Sequence, residues 1–462
     1  MWWPIVRQSM RWRNSLFPAY STDHMRCTLR YGPRGLTLDL PESWNVTLIK
    51  RRPMPGVPDP RGCIQKALAS PAGAGDLTRE AKGSRTACIM ICDVTRPAPN
   101  HLILRPLIER LLGAGLRPSA ITVLVATGLH RPNNGEELAA VIGDPWVAAH
   151  AVIANHFARR DEDHVMLGAT TRGVPVSLDR RVVEADVRVA VGLAEPHFMA
   201  GWSGGRKLIL PGSAHADSIM AFHSARMLEH PRAGTCILAG NPLHDAQMEA
   251  LLMLGRTLAV SVVINDAREL AFASYGSAEE SLAAAVRFAE PCVRIAVPEP
   301  FPVVLSTGAG FPLDSTYYQS VKGICAGASI LEPGGDLFVA SSCAEGFGSR
   351  EFRNAQERLC RMGKDAFRAE ARQRERAEID EWQTVMLMKA LDVGTVHLYS
   401  GSLRGEELAI TGAVPVRDLA EDLRAAMERG KGRRLAVIPE GPYAAPFVRP
   451  RGPSMEAAPR GG

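Results

Sequence analysis

Apolar runs alternate with amphipathic segments from residue 87 onwards. The apolar runs predict strands at 87–93, 120–128, 151–155, 174–178 and 187–193. Apolar residues at helical spacing predict helices at 101–115, 135–143 and 180–186. Strands that are apolar along their whole length are typical of parallel sheets covered by helices on both faces. The pattern therefore predicts an α/β fold with a parallel-rich sheet.

A second α/β block follows from about residue 268. It contains predicted strands at 302–308, 336–342, 395–401 and 434–441 and a long charged helical stretch at 349–392. We predict two α/β domains with mostly parallel sheets, a catalytic and cofactor-binding domain at 25–267 and a C-terminal domain at 268–447. Residues 1–24 are predicted to be a disordered arm, or an over-extended start upstream of Met25. Residues 448–462 are predicted to be a disordered tail.

Composition narrows the class of protein. The 462 residues carry a formal net charge of only +5, and much of the basic excess lies at the two ends. This pattern predicts no nucleic-acid surface and favours small anions as partners. No apolar run approaches the roughly 18 residues that span a membrane. Nine cysteines without a CxxC pair predict reduced thiols in a cytoplasmic protein with no membrane partner.

Three chemically useful side chains each follow a predicted strand. They are Asp93, His130 and His197. Ligands of parallel sheets bind beyond the carboxyl ends of the strands, so these side chains are expected to share one site. Histidine titrates near neutral pH and can act as a general acid or base. A solvated loop histidine is the simpler alternative for His130.

The segment 93-DVTRP-97 adds an arginine to this predicted site. Arg96 lies three residues after Asp93 in a loop that proline stiffens. The guanidinium group matches a carboxylate or a phosphate through two parallel hydrogen bonds. An Asp–Arg pair that only stabilises the turn is the alternative.

The run 195-EPHFMAGWSGGRKLILPG-212 combines His197 with a glycine-rich loop and Lys207. The glycines of 203-SGGRK-207 would let backbone amides approach a phosphate. The loop is not a Walker A motif, because Leu208 stands where that motif requires a hydroxyl. A glycine-rich structural turn is the alternative. His223 follows in a predicted amphipathic helix over 214–228, where a histidine is commonly only a core or surface residue.

The second block offers fewer candidates. The segment 317-YYQSVKG-323 places Gln319 and Lys322 near a predicted helix start, where both could bind one anion. Trp382, in 381-EWQ-383, is by itself typical of an amphipathic helix.

Together these segments resemble the nickel-dependent lactate racemase family. The family's DxTRP, GxHRP, EPHxxAGxSGGxKxxxPG and YQxxKG motifs occur in order, with a histidine on the helix after the third, across about residues 26–445. The resemblance implies a nickel-pincer nucleotide, a pyridinium mononucleotide that holds nickel through sulfur and carbon. It also implies that this cofactor is covalently attached at Lys207 and that His223 is a nickel ligand. Soft sulfur donors together with one imidazole suit square-planar nickel.

The resemblance assigns the remaining residues as well. His130 and His197 match the family's two acid–base histidines. The cofactor-binding positions are Asp93, Val94, Thr95, Arg96, Lys207 and His223. The substrate-binding positions are Arg96, Gln319, Lys322 and Trp382.

The implied reaction is racemisation or epimerisation of a 2-hydroxy acid in a cleft between the domains. The C2 hydrogen leaves as hydride to the pyridinium while one histidine takes the hydroxyl proton, and each enantiomer needs a histidine on its own side. Lactate, malate, glycerate and larger acids stay open as substrates, and Leu129 and Trp202 are positions where bulk would reshape the pocket. Separate cofactor-synthesis proteins are the implied partners. The rival functions are an anion- or nucleotide-binding enzyme that uses SGGRK for a phosphate and a non-catalytic cofactor carrier.

Overall fold

The computed structural model describes residues 24–429 and 434–449. The arm predicted at 1–24 and the tail predicted at 448–462 lie outside the described residues, except for His24, where the first strand begins, and residues 448–449. Strands β1 (His24–Leu29) and β2 (Leu36–Pro41) form an antiparallel hairpin, and β3 (Asn45–Leu48) follows. The hairpin packs its apolar face on the second of two large sheets.

The first large sheet contains six strands: β4 (Ala87–Cys92), β5 (Ile121–Ala126), β6 (Val152–Asn155), β9 (Val187–Leu193), β12 (Leu258–Ile264) and β13 (Leu270–Ser277). They lie in the order β13-β12-β9-β4-β5-β6, and all neighbouring strands are parallel except β12 and β13. Two small antiparallel hairpins lie outside it, β7 (His164–Ala169) with β8 (Pro175–Asp179) and β10 (Pro196–His197) with β11 (Gly201–Trp202).

Helices cover both faces of this sheet. They are α1 (Pro60–Ala69), α2 (Leu77–Glu80), α3 (Asn100–Gly113), α4 (Gly135–Ile142), α5 (Pro145–His150), α6 (Arg180–Val183), α7 (Arg206–Ile209), α8 (Ala216–Phe222), α9 (Ala225–Leu228), α10 (Pro242–Leu254) and α11 (Ala278–Val293). Strand β4 is apolar throughout because its side chains are buried on both faces of the sheet. Met90 lies in one core cluster, and its neighbours Ile89 and Ile91 lie in another on the opposite face. The predicted parallel-rich α/β architecture is confirmed.

The second large sheet combines β3 with β15 (Phe301–Thr307), β16 (Leu331–Ala340), β17 (Thr395–Tyr399), β18 (Val414–Val416) and β19 (Arg434–Val437). It is parallel throughout, in the order β18-β17-β16-β15-β19-β3. Strand β14 (Arg294–Val297) pairs separately with β20 (Ala445–Val448). Its helices are α12 (Tyr317–Ala328), α13 (Arg350–Met362), α14 (Lys364–Gln373), α15 (Glu381–Val393), α16 (Gly405–Ala409) and α17 (Leu419–Arg429). Short 3-10 turns occupy Pro118–Ala120, Asp161–Asp163, Leu313–Ser315 and Gly441–Tyr443.

The sheets divide the chain differently from the predicted boundary at residue 268. That boundary falls between β12 and its partner β13, the edge strand of the first sheet, while β3 from the N-terminal region is an edge strand of the second. Strand patterns in a sequence reveal apolar faces but not the partner strand, and this explains the difference. The predicted strand at 174–178 likewise pairs outside the parallel sheet, as β8 with β7.

Two predicted helices are divided. The charged stretch at 349–392 forms three helices, broken at Gly363, whose φ of 80° ends α13, and again before α15. The predicted helix at 214–228 forms α8 and α9, with His223 between them. No helix among residues 24–429 and 434–449 is long and apolar enough to cross a membrane. All nine cysteines are free.

Candidate active site

Asp93, His130 and His197 lie at the carboxyl ends of three adjacent strands, β4, β5 and β9, as the sequence predicted. Nδ1 of His130 lies 2.6 Å from Oδ2 of Asp93. Thr95 donates its hydroxyl to Oδ1 of Asp93 at 2.5 Å. Burial alone would raise the pKa of Asp93, but the bonds from His130 and Thr95 outweigh it and lower that pKa. A charged Asp93 holds the His130 proton on Nδ1 and leaves Nε2 as an acceptor.

Asn133 joins the loops that carry these residues and was not singled out in the sequence. Its buried Oδ1 accepts from the backbone N–H of Val94 at 3.2 Å, and its own N–H donates to Asn155 at 3.0 Å. The Val94 side chain is 47% exposed, so its backbone rather than its apolar side chain is held in place. The signal was an asparagine directly after the HRP motif, but nothing local indicated its partner.

His197 has the opposite tautomer. Its Nδ1 accepts from the backbone N–H groups of Met199 and Ala200 at 3.3 and 3.2 Å, within the β10–β11 hairpin. The neutral ring therefore carries its proton on Nε2. Burial lowers the pKa of His197 well below its usual value, and the nearby Lys207 and Arg96 lower it further.

Lys207 lies on α7, close to this cluster. Burial lowers its pKa well below the usual range, and the positive charges of Arg96, Arg206 and Lys322 add to the effect. Within the described part of the chain, its Nζ makes no hydrogen bond or salt bridge. The structure thus places an amine with no partner among the described residues close to several cations, where its charged form is disfavoured.

The glycines of SGGRK serve packing rather than phosphate approach. A Cβ on Gly205 would lie 3.1 Å from the Cβ atoms of Ala190 on β9 and Ala259 on β12. A Cβ on Gly192 would collide with the backbone of Gly204 and Gly205. Close contact between the loop and the sheet therefore requires these glycines, and the structural alternative describes them better.

Arg206 is also structural. It is 1% exposed and donates to the carbonyl oxygens of Ala200 (3.2 Å), Trp202 (2.9 Å) and Ser203 (3.3 Å). Burial lowers the pKa of Arg206 to about 9. Trp202 is fully buried in a core cluster, so it does not line the cleft as the sequence suggested, whereas Leu129 is partly buried against the main core.

His223 closes α8 and presents one free nitrogen. Its Nδ1 donates to the carbonyl oxygen of Ile219 at 2.9 Å, so the lone pair of Nε2 is available. The ring of Trp382 lies 4.7 Å from it, centroid to centroid. Burial lowers the pKa of His223 to about 4, with Lys207 as a further cause, and the ring stays neutral near pH 7.

The second domain contributes α12 to the same site. Thr316 caps this helix by accepting from the backbone N–H of Gln319 at 3.4 Å. Oε1 of Gln319 is buried and accepts no hydrogen bond from any described residue. Burial and Arg96 lower the pKa of Lys322 to about 8. Because Lys322 in turn lowers the pKa values of His197 and Lys207, it lies close to the first-domain residues.

Arg96 pairs with a carboxylate that the sequence did not single out. Its Nη1 donates to Oε1 of Glu195, and Glu195 outweighs burial and raises the pKa of Arg96. Nε and Nη2 of Arg96 donate to no group in the described residues, so a second carboxylate could bind along that edge. Trp382 donates its Nε1–H to the hydroxyl of Tyr318 at 3.0 Å, next to Gln319. The structure thus brings the predicted site residues of both domains together, although their individual roles stay predictions.

Comparisons with known proteins agree with this arrangement. The family model "Lactate racemase N-terminal domain" matches residues 31–236, and "Lactate racemase C-terminal domain" matches residues 298–443. A lactate racemase of Thermoanaerobacterium thermosaccharolyticum is 30% identical over 383 residues, which cover 82% of this chain and 88% of that protein. A lactate racemase of Lactiplantibacillus plantarum is 31% identical over 289 residues, covering 63% and 68%.

Solved structures are similar too. The lactate racemase apoprotein from Thermoanaerobacterium thermosaccharolyticum superposes with a TM-score of 0.83 at 28% identity, covering 92% of this chain and all of that one. A Thermotoga maritima protein shares the fold alone, with a TM-score of 0.61 at 17% identity over 84% of this chain and 98% of that one. The chain therefore belongs to the lactate racemase family and is an isomerase.

Proposed function

We propose that the protein racemises or epimerises a 2-hydroxy acid, lactate or a related 2-hydroxycarboxylate, with a nickel-pincer nucleotide attached at Lys207. One observation carries the proposal. The unpartnered amine of Lys207, whose charged form is disfavoured by burial, lies near His197 and near the free Nε2 of His223, and the two candidate acid–base histidines have opposite tautomers.

The residues fit the implied cofactor. A neutral amine is the form of lysine that bonds covalently. Among the described residues no carboxylate forms a salt bridge with Lys207, and the pKa-raising charge of Glu195 is outweighed by burial and the nearby cations. His223 offers the imidazole lone pair that the proposed nickel ion needs. Within the described residues, no group of three His, Cys, Asp or Glu side chains could hold a metal. The proposed nucleotide would itself supply the other nickel donors and accept hydride from C2 of the substrate.

His130 and His197 would handle the hydroxyl proton. His130 presents an unprotonated Nε2, and Asp93 stabilises the charge that this ring gains on taking a proton. His197 presents an Nε2–H that can donate a hydrogen bond to the oxygen of the keto acid. To transfer this proton the ring must first take up a proton from solvent, so that it returns to neutral imidazole when the proton passes to the substrate oxygen. For the opposite enantiomer the histidines exchange roles, so the ring proton of His197 must move from Nε2 to Nδ1, which gives up the hydrogen bonds from the Met199 and Ala200 amides.

The substrate would be held by groups from both domains. The free Nε and Nη2 edge of Arg96 suits bidentate binding of its carboxylate. Lys322 adds a second positive charge, and the orphan Oε1 of Gln319 can accept a hydrogen bond from a hydroxyl. Binding between the domains would fix C2 in position and exclude water.

Mass spectrometry tests this proposal. The protein would be co-expressed with cofactor-synthesis proteins, digested, and its nickel measured, with Lys207→Ala as the control. We expect an adduct with the mass of the nickel-bearing nucleotide on the Lys207 peptide and none on the control. An unmodified Lys207 peptide and no nickel, from a host that modifies a known lactate racemase, would contradict the proposal. The rival phosphate loop finds little support, since Arg206 is committed to backbone carbonyls.

A further inference from the structure

The second domain contacts both short helices that flank His223. Helix α8 ends at Phe222 and α9 begins at Ala225, and α9 packs against α14 and α15 of the second domain. These helices have seven and four residues. Helices this short are not stable on their own, so the position of His223 depends on what packs around it.

Lys389, on α15, forms three hydrogen bonds to the end of α9 and the segment that follows it. Its Nζ donates to the carbonyl oxygens of Leu228 (3.0 Å), His230 (3.4 Å) and Ala233 (2.7 Å). Carbonyls at a helix end lack partners within the helix, and one ammonium group has three protons to donate. Lys389 forms no salt bridge with any described carboxylate, so its charge is directed at the turn after α9.

Further contacts hold the same two helices. Glu229 accepts from Nε of Arg368 at 3.0 Å and from Nε of Arg372 at 2.5 Å. On the other side of His223, Arg376 pairs with Asp217 at 2.7 Å. The backbone N–H of Ala377 donates to the carbonyl oxygen of Met220 at 3.0 Å. We call Arg368, Arg372, Arg376 and Lys389 the interdomain clamp.

We propose that the interdomain clamp, with Lys389 at its centre, positions His223 for metal ligation, so that nickel retention depends on the second domain. The clamp residues touch neither the substrate nor the metal in this proposal; they are positioning residues that act through α8 and α9. Groups that orient a metal ligand without contacting the metal affect its affinity about 10- to 100-fold. The inference rests on the proposed function, because it requires His223 to be a nickel ligand.

The test compares nickel release from cofactor-loaded wild type, Lys389→Met, Glu229→Gln and Arg434→Met during dialysis against EDTA. Arg434 is the control, since its Nη2 donates to the carbonyl oxygen of Pro300 at 3.0 Å and pairs with Glu332 at 2.9 Å, inside the second domain and away from the clamp. The Lys207 adduct is quantified by intact mass in each sample, which reports cofactor attachment independently of nickel and activity.

We expect Lys389→Met to keep the organic adduct but to lose nickel about tenfold faster than wild type or Arg434→Met. Glu229→Gln should lose nickel faster in the same way, and it provides the test if Lys389→Met does not fold. Nickel release at the wild-type rate from folded Lys389→Met and Glu229→Gln would overturn the proposal, as would equal acceleration in Arg434→Met. Wild type without adduct or nickel would instead contradict the proposed function itself.

Discussion

Oδ2 of Asp93 lies 2.6 Å from Nδ1 of His130, so a carboxylate at the end of one strand sets the tautomer of a histidine at the end of the next. Asp93→Asn should remove this control, because an amide N–H facing Nδ1 would move the ring proton to Nε2. We expect racemisation to fall about 100-fold or more, in the range of general acid–base contributions. Chiral chromatography of the product measures the rate. Thr95→Val, which keeps the carboxylate, should lose much less; equal losses would contradict the tautomer argument.

Lys207 and Arg206 are neighbours with different roles, and substitution should separate them. Lys207→Met should fold at least as stably as wild type, because it removes a half-buried amine without a partner among the described residues, whose charged form is disfavoured, yet it should carry no adduct. Arg206→Met removes the guanidinium donor from three buried carbonyls, of which only that of Ala200 still accepts from a backbone N–H, that of Trp202, and it should lose about 1–3 kcal/mol of unfolding free energy. Urea unfolding and intact mass together check both statements. A stable Arg206→Met protein would show that Arg206 does not hold the loop.

Gln319 offers a buried acceptor without a donor, so Gln319→Leu tests whether a substrate uses it. The substitution removes an unsatisfied polar atom and should not lower stability. We expect KM for the 2-hydroxy acid to rise about tenfold, which corresponds to about 1.4 kcal/mol. Thermal unfolding provides the control. An unchanged KM would remove Gln319 from the substrate site.

Stability should fall in mild acid because of His156. This ring is 1% exposed, and burial lowers its pKa to about 3, from an ordinary value near 6.5. Between these values the unfolded chain binds a proton that the folded protein excludes, so the contribution is complete above about pH 6.5 and decreases below it. His156 alone is expected to lower the free energy of unfolding by about 1.4 kcal/mol for each pH unit below that value. Urea midpoints at pH 7 and pH 5 measure it, and His156→Gln should show a shallower decrease. Equal slopes in both proteins would contradict the assignment.

The sequence predicted the class of both sheets and the shared edge of Asp93, His130 and His197, because apolar strands and the residues after them are local signals. It did not predict that β3 joins the second sheet, since pairing between residues 45–48 and 434–437 has no local signature. Glu195 and Asn133 were missed for the same reason: their importance lies in contacts to Arg96 and Val94 across the fold. The sequence could not decide between phosphate approach and a structural turn for the glycines of SGGRK, because the close packing of Gly205 on Ala190 and Ala259 is visible only in three dimensions.

The most direct test of the proposed reaction uses an enantiopure 2-hydroxy acid, with lactate tried first, carrying deuterium at C2. The cofactor-loaded protein converts it in ordinary water, and mass spectrometry of the opposite enantiomer measures the deuterium retained. Hydride transfer within the cleft predicts that the product keeps its deuterium. A product that has exchanged C2 deuterium for solvent hydrogen would show that a proton leaves that carbon, and it would contradict the account.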